Sequence, residues 1–260
     1  MSVYADVHSH LSFPEFDADR ELVVARLRDA GIGLLIDPGT DAETSRRSIE
    51  LAAAHDFVHA NVGLHPSEVS TPFTPELYNE LAGLARAKKV VGIGEIGLDY
   101  HWPGHSPELQ LVAFREMLRM AASLDLPVAI HCRDAWPDML RVLSEERHSG
   151  LRGMMHCFSG DLDTARRCIG FGLKISVPGT ITYKRSPLPE IVAAVGLQEL
   201  LSETDAPYLS PVPMRGKRNE PAHVALTVQA VADARPEPFA TVADALWNNA
   251  CDLFGIQPGF

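Results

Sequence analysis

The chain alternates between two kinds of segment. Eight short apolar stretches, rich in β-branched residues, are each followed by a stretch whose apolar residues recur at helical spacing, and the order holds from one end to the other. Strands that alternate with helices pair in parallel, because each helix carries the chain back to start the next strand on the same side. The strands read as 4–8, 33–39, 58–64, 90–100, 127–131, 153–156, 173–177 and 200–204. The helices between them read as 19–30, 41–55, a segment opened by Thr74 or Pro75, 107–124, 136–148, 161–171 and 188–195. A Pro-rich loop over 210–221 leads to two closing helices, 223–234 and 239–254. Asp41 and Asp161 stand where an N-cap is needed. Eight such units in 260 residues suit a (β/α)8 TIM barrel, whose usual length is about 250 residues. A doubly wound open sheet is the alternative. No composition shift or linker divides the sequence, so one domain is expected over 1–260.

One of these strands carries a problem. Residues 90–100 run Val-Val-Gly-Ile-Gly-Glu-Ile-Gly-Leu-Asp-Tyr, an apolar strand that ends on a carboxylate hemmed in by glycines. A charged Glu95 left alone there would cost several kcal/mol, so it must be paired, protonated or bound to a cation. Lys88 and Lys89 lie at the wrong end of the strand to help.

Other strand ends supply the partners. His8 and His10 follow the first strand, His131 ends the fifth, His156 the sixth and Asp205 the eighth. In a barrel those ends converge on one face, where catalytic groups gather. Six metal-ligating side chains, His8, His10, Glu95, His131, His156 and Asp205, then surround one pocket. Strand alternation lets His8 and His10 point the same way, and turns Cys132 and Cys157 away from the pocket. Imidazole with carboxylate suits Zn, Mn or Fe, whereas an all-oxygen cage would suit Mg or Ca. Three or four ligands per ion leave open positions, the mark of catalysis. Two ions about 3.5–4 Å apart would suit phosphoryl transfer.

Composition narrows the class. The formal charge of −11 argues against broad adhesion to nucleic acid or anionic membranes, though local cations can still serve an enzyme. Four scattered cysteines with no C-x-x-C pair argue against a zinc ribbon or disulfide framework. No apolar run approaches a membrane span, and residues 1–10 lack the basic-then-apolar pattern of a secretory signal, so a cytoplasmic location is expected.

The sequence resembles the TatD family of metal-dependent deoxyribonucleases, within the amidohydrolase-like barrels. The resemblance is carried by Asp6-Val-His-Ser-His10, Gly63-Leu-His65-Pro, Gly94-Glu95-Ile-Gly-Leu-Asp-Tyr100, Ile130-His131-Cys-Arg133, His156-Cys-Phe-Ser-Gly160, Glu203-Thr-Asp205-Ala-Pro-Tyr208 and Arg215-Gly-Lys-Arg-Asn219. It implies a (β/α)8 fold and 3′-to-5′ removal of nucleotides from DNA, commonly with Mg. It also implies one ion on His8, His10, Glu95 and Asp205 and a second on Glu95, His131 and His156, with Glu95 shared. The metal, whether Mg, Mn or Zn, stays open. The sequence departs from the family at His101-Trp-Pro-Gly-His105 and at His223, which bears on substrate preference.

Around that set, Asp205 is the residue to orient or deprotonate the attacking water, with Glu95 as its catalytic companion. Arg133, two positions after a ligand, shares its face and offers a fork for phosphate. His65, placed likewise on the third strand, is set to bind a non-bridging oxygen or act as an acid. Glu203, two before Asp205, belongs to the same pocket, on the substrate side or as partner to a ligating His. Lys184-Arg185 and Arg215-Gly-Lys217-Arg218 offer a local landing strip for phosphates, and Trp102, Tyr183 and Tyr208 offer stacking faces. A single-stranded or frayed 3′ end is the expected DNA partner. Two rivals stand beside this reading: an ester or amide hydrolase, such as a deacylase of aminoacylated tRNA, and a non-catalytic metal-binding protein.

Overall fold

A computed structural model describes residues 3–146 and 150–257. Its strands are β1 (Tyr4–Asp6), β2 (Ile32–Pro38), β3 (Val58–Leu64), β4 (Val90–Asp99), β5 (Val128–Arg133), β6 (Gly153–Met155), β7 (Leu173–Val177) and β8 (Leu200–Ser202). They lie side by side in chain order, each parallel to the next. The ring closes between its last strand and its first: the Val7 amide donates to the Ser202 carbonyl at 3.1 Å and the Asp205 amide to that of His8 at 2.9 Å. The fold is the (β/α)8 TIM barrel expected above.

The helices are α1 (Arg20–Asp29), α2 (Ala42–Ala54), α3 (Pro75–Leu84), α4 (Pro107–Leu124), α5 (Trp136–Glu145), α6 (Leu162–Gly170), α7 (Leu188–Ala194), α8 (Val224–Asp233) and α9 (Phe239–Phe254). Their starts follow local chemistry. Asp41 accepts the Thr44 amide at 2.7 Å and Asp161 the Thr164 amide at 2.8 Å, which satisfies N–H groups that the first turn leaves free. Thr74 and Ser106 cap α3 and α4, each just before a proline that needs no amide partner. Helix α5 was expected to reach residue 148, which lies outside the described residues. Strands β1, β6 and β8 stop short of the histidines and aspartate that follow them, so His8, His10, His156 and Asp205 sit on the first residues beyond the sheet.

Two kinds of core result. Ala5, Leu34, Ile36, Ala129, Met154 and Leu201 form one apolar cluster. They come from β1, β2, β5, β6 and β8, and strands on opposite sides of an eight-stranded ring meet only across its lumen, so this cluster fills the barrel. Trp247, Ala250 and Phe254 of α9 join it. The larger cluster, with Ile93, Phe114, Met117 and Ile130 among its members, lies between sheet and helices.

Glycine governs how closely the strands run beside Glu95. A Cβ at Gly63 of β3 would collide with the backbone at Gly94 and Glu95, and one at Gly97, whose φ is +145°, with the His131 carbonyl. Gly83, near the end of α3, has open space around it. Gly63→Ala should therefore destabilise the protein by about 1–3 kcal/mol or more, while Gly83→Ala should stabilise it by roughly 0.5–1 kcal/mol; urea unfolding of the two variants checks both signs.

At the start of β3, His59 is pushed down from 6.5 to about 4 by burial, aided by the Lys89 ammonium. Lys89 cannot leave, because its Nζ holds the Ala52 and His55 carbonyls at 2.7 and 2.6 Å. A histidine that resists protonation when folded leaves stability intact above about 6.5 and withdraws it as pH falls toward 4. His59→Gln should flatten that part of the curve, so its Tm relative to the unmodified protein should rise as pH falls from 7 to 4.

Candidate active site

The carboxylate of Glu95, only 3% exposed, sits among five imidazoles at the barrel mouth. Its two oxygens face different partners. Oε2 lies 3.3 Å from His8 Nε2 and 3.5 Å from His10 Nε2; Oε1 lies 3.0 Å from His131 Nδ1, 3.4 Å from His65 Nε2 and 3.6 Å from His156 Nε2. Asp205 closes the ring, its Oδ1 3.6 Å from His10 Nε2 and 3.7 Å from His156 Nε2. All six residues read from the sequence as ligands are thus brought together, and His65 joins them.

The donor atoms fit a divalent ion. Four trios among the described residues keep their ligand atoms within 4.8 Å of one another: His8, His10 and Glu95; His8, His156 and Asp205; His65, Glu95 and His131; His156, Cys157 and Glu203. In the first, His8 Nε2 and His10 Nε2 lie 3.3 Å apart. Ligand atoms about 3.3 Å from each other are what tetrahedral bonds of about 2.0–2.1 Å to nitrogen require. The outer Nδ1 atoms of both rings have no hydrogen-bond partner among the described residues, so their polar contacts all lie on the inner side.

The charge balance favours a cation too. Burial alone would push the Glu95 carboxyl up, yet the His65 and His156 imidazoles and hydrogen bonds from His131 and His65 hold it well below the usual carboxylate range. Burial opposes charge on His156 as well, but Glu203, Glu95 and Asp205 crowd it and push it up to about 10. His10 and His131 are pushed up for similar reasons, whereas burial and the stacked His156 ring bring His8 down to about 3. Glu95, Asp99, Glu203 and Asp205 bring four carboxylates to one small region, which demands positive charge.

What stands behind each imidazole fixes what it shows the cavity. His131 Nε2 donates to Asp99 Oδ2 at 3.0 Å and His156 Nδ1 to the Glu203 carboxylate at 3.1 Å. Each neutral ring then turns a lone pair inward. His65 is the reverse case. Its Nδ1 accepts the Ser67 amide at 3.1 Å, so the neutral ring carries its proton on Nε2 and turns an N–H inward.

The supporting acids were read incompletely from the sequence. Glu203 is wholly buried, its oxygens on the His156 ring, the Cys157 amide at 2.7 Å and the Ser176 hydroxyl at 2.5 Å, which puts it behind His156 and away from the cavity wall. Asp99 likewise holds His131. Asp6 was passed over: it is buried, and takes the Thr204 amide at 2.9 Å and hydroxyl at 2.5 Å just before Asp205. Its signal was an acid in an apolar strand. Cys132, inside β5, packs into the larger cluster between sheet and helices and only borders the cavity, but the expectation that Cys157 turns away fails, because it lines the cavity. Cys157 lies past the end of β6 with φ +45°, where strand alternation no longer applies.

The cavity above this cluster measures about 930 Å³. Arg133, Arg185, Trp102, Tyr183 and Tyr208 line it. Arg218 does not; it is spent on Asp19 and Glu220. His101 pairs with Asp134 at 2.9 Å and His223 with Asn219 at 2.9 Å, so both serve to hold loops.

Comparison with known proteins agrees with this construction. The family model described as "TatD related DNase" matches residues 5–255. The uncharacterized metal-dependent hydrolase YabD of Bacillus subtilis is 36% identical over 253 residues, covering 97% of this chain and 99% of its own. The protein named 3′-5′ ssDNA/RNA exonuclease TatD from Pantoea ananatis is 35% identical over 258 residues, covering 96% and 99%. The crystal structure of YjjV, a TatD homologue from Escherichia coli, superposes with a TM-score of 0.92 at 35% identity and covers 98% of each chain. Matched from near its first strand to its last helix by the family and by such relatives, the chain belongs to the TatD family of metal-dependent hydrolases.

Proposed function

We propose that the protein is a 3′-to-5′ exonuclease that hydrolyses phosphodiester bonds at single-stranded nucleic-acid ends with two divalent ions, of Mg, Mn or Zn. The observation that carries this reading is the division of Glu95, with one oxygen toward His8 and His10 and the other toward His131 and His156. A carboxylate so divided suits two neighbouring cations, and the name of the Pantoea relative supports nucleic acid as substrate.

In this reading His8, His10, Glu95 and Asp205 would hold one ion, and Glu95, His131 and His156 the other. Bound there, the ions would supply Lewis acidity and charge for the phosphoryl oxygens. Asp205, partly open to the cavity, orients the attacking water and takes its proton. Arg133 receives phosphate oxygens, and His65 donates its inward N–H to a non-bridging oxygen. Glu203 and Asp99 are positioning residues that hold His156 and His131.

Metal-stripped protein should regain stepwise shortening of a 5′-labelled single strand when Mg, Mn or Zn is restored. Glu95→Gln should remove that activity, and Glu203→Gln or Asp99→Asn should weaken metal affinity by about 10- to 100-fold. Cleavage of an aminoacyl ester but not of the strand would instead support the deacylase.

His65→Ala should separate donor from ligand. Losing a hydrogen bond to a charged group costs about 1.5–3 kcal/mol, so KM should rise roughly ten- to a hundredfold, while the metal content measured by elemental analysis stays unchanged. A fall in metal content would make His65 a ligand.

A further inference from the structure

Beyond the cluster, the loop after β4 lifts Trp102 to the cavity rim, where it remains 53% exposed. Its flat face is thereby available to stack against a ligand in the cavity. The loop is held at its root: the His101 amide donates to Asp99 Oδ1 at 2.9 Å, the His101 ring meets Asp134 at 2.9 Å, and the Tyr100 amide donates to the Arg133 carbonyl at 3.0 Å. The ring is therefore presented in place. The Arg133 guanidinium lies over it, 5.5 Å from the ring centroid.

Charge selects the occupant. The protein carries a formal charge of −11, and most of its arginines are paired with carboxylates. Arg133 and Arg185, both on the cavity wall, have no carboxylate partner among the described residues. An aromatic face next to free guanidinium forks matches one chemistry well, a base attached to a phosphate. A cavity of about 930 Å³ also exceeds what a lone phosphate needs, at the upper end of the roughly 300–1,000 Å³ usual for small-molecule sites.

We infer that Trp102 and Arg133 form a nucleotide subsite, in which the base next to the scissile end stacks on the indole while its phosphate takes the guanidinium. This rests on the nuclease reading and adds to it the source of single-strand selectivity. Stacking on the indole needs a base whose face is free, and a duplex buries both faces of every internal base. The subsite tolerates any base, since each has a π-face.

The test is equilibrium binding of a 5′-labelled single strand whose 3′ linkages are phosphorothioates, read by fluorescence anisotropy with Mn present. A second strand carries an abasic residue next to its 3′ end. Both strands are offered to the unmodified protein, Trp102→Ala and Trp102→Phe. The abasic residue and Trp102→Ala should each weaken binding roughly tenfold, and the two together no further than either alone, with Trp102→Phe near the unmodified protein. Independent, multiplying effects, or tight binding by Trp102→Ala, would overturn the subsite while leaving the nuclease reading intact. Stacking without cleavage of the ordinary strand would do the opposite, and failure of the unmodified protein to bind would remove both.

Discussion

A carboxylate buried to 3% exposure is the constraint from which the barrel mouth is built. Taking Glu95 out of water costs several kcal/mol unless charge and hydrogen bonds meet it there. Glycines at 63, 94 and 97 remove the side chains that would keep neighbouring strands from its backbone. Imidazoles then surround its oxygens. Those imidazoles need acids of their own, Asp99 for His131 and Glu203 for His156, and the acids need donors in turn. Asp99 receives the His101 amide, and Glu203 receives the Cys157 amide and Ser176 hydroxyl. Each layer is the cost of the one inside it, answered one step farther from the centre.

One residue type does two jobs here because of what lies behind it. His131 and His156 back onto carboxylates and, when neutral, offer lone pairs; His65 backs onto the Ser67 amide and offers a proton. Nothing in the ring itself distinguishes them. The difference comes from the short 3-10 turn over Pro66–Glu68, which aims a main-chain N–H at a side chain. A backbone turn therefore decides whether a histidine turns a lone pair or an N–H toward the cavity.

The barrel and the six convergent side chains were legible because both follow from periodicity. Strand ends in a (β/α)8 barrel share one face, so a residue's place in its strand gives its place in the site. Legibility stopped where strands stopped. Cys157 lies beyond β6 in a left-handed conformation, and counting by twos misplaced its side chain. Pairings across the chain were also hidden. Arg218 reads as part of a basic patch, but Asp19, 199 positions earlier, takes both of its terminal nitrogens. The role of Asp99 was hidden likewise, because its partner is a histidine on the next strand.

The seam between the first strand and the last sets the order in which all this can exist. Asp6 and Thr204 meet across 198 positions of sequence, and His8 and His10 find Asp205 only there. A ribosome making this chain from its first residue releases the two histidines early and the aspartate late. Until the eighth strand has emerged, the first has one neighbour instead of two and its histidines lack Asp205. The cluster is thus assembled by ring closure, a long-range event that comes at a cost in loop entropy. A growing chain carries no complete site until its last strand is in place.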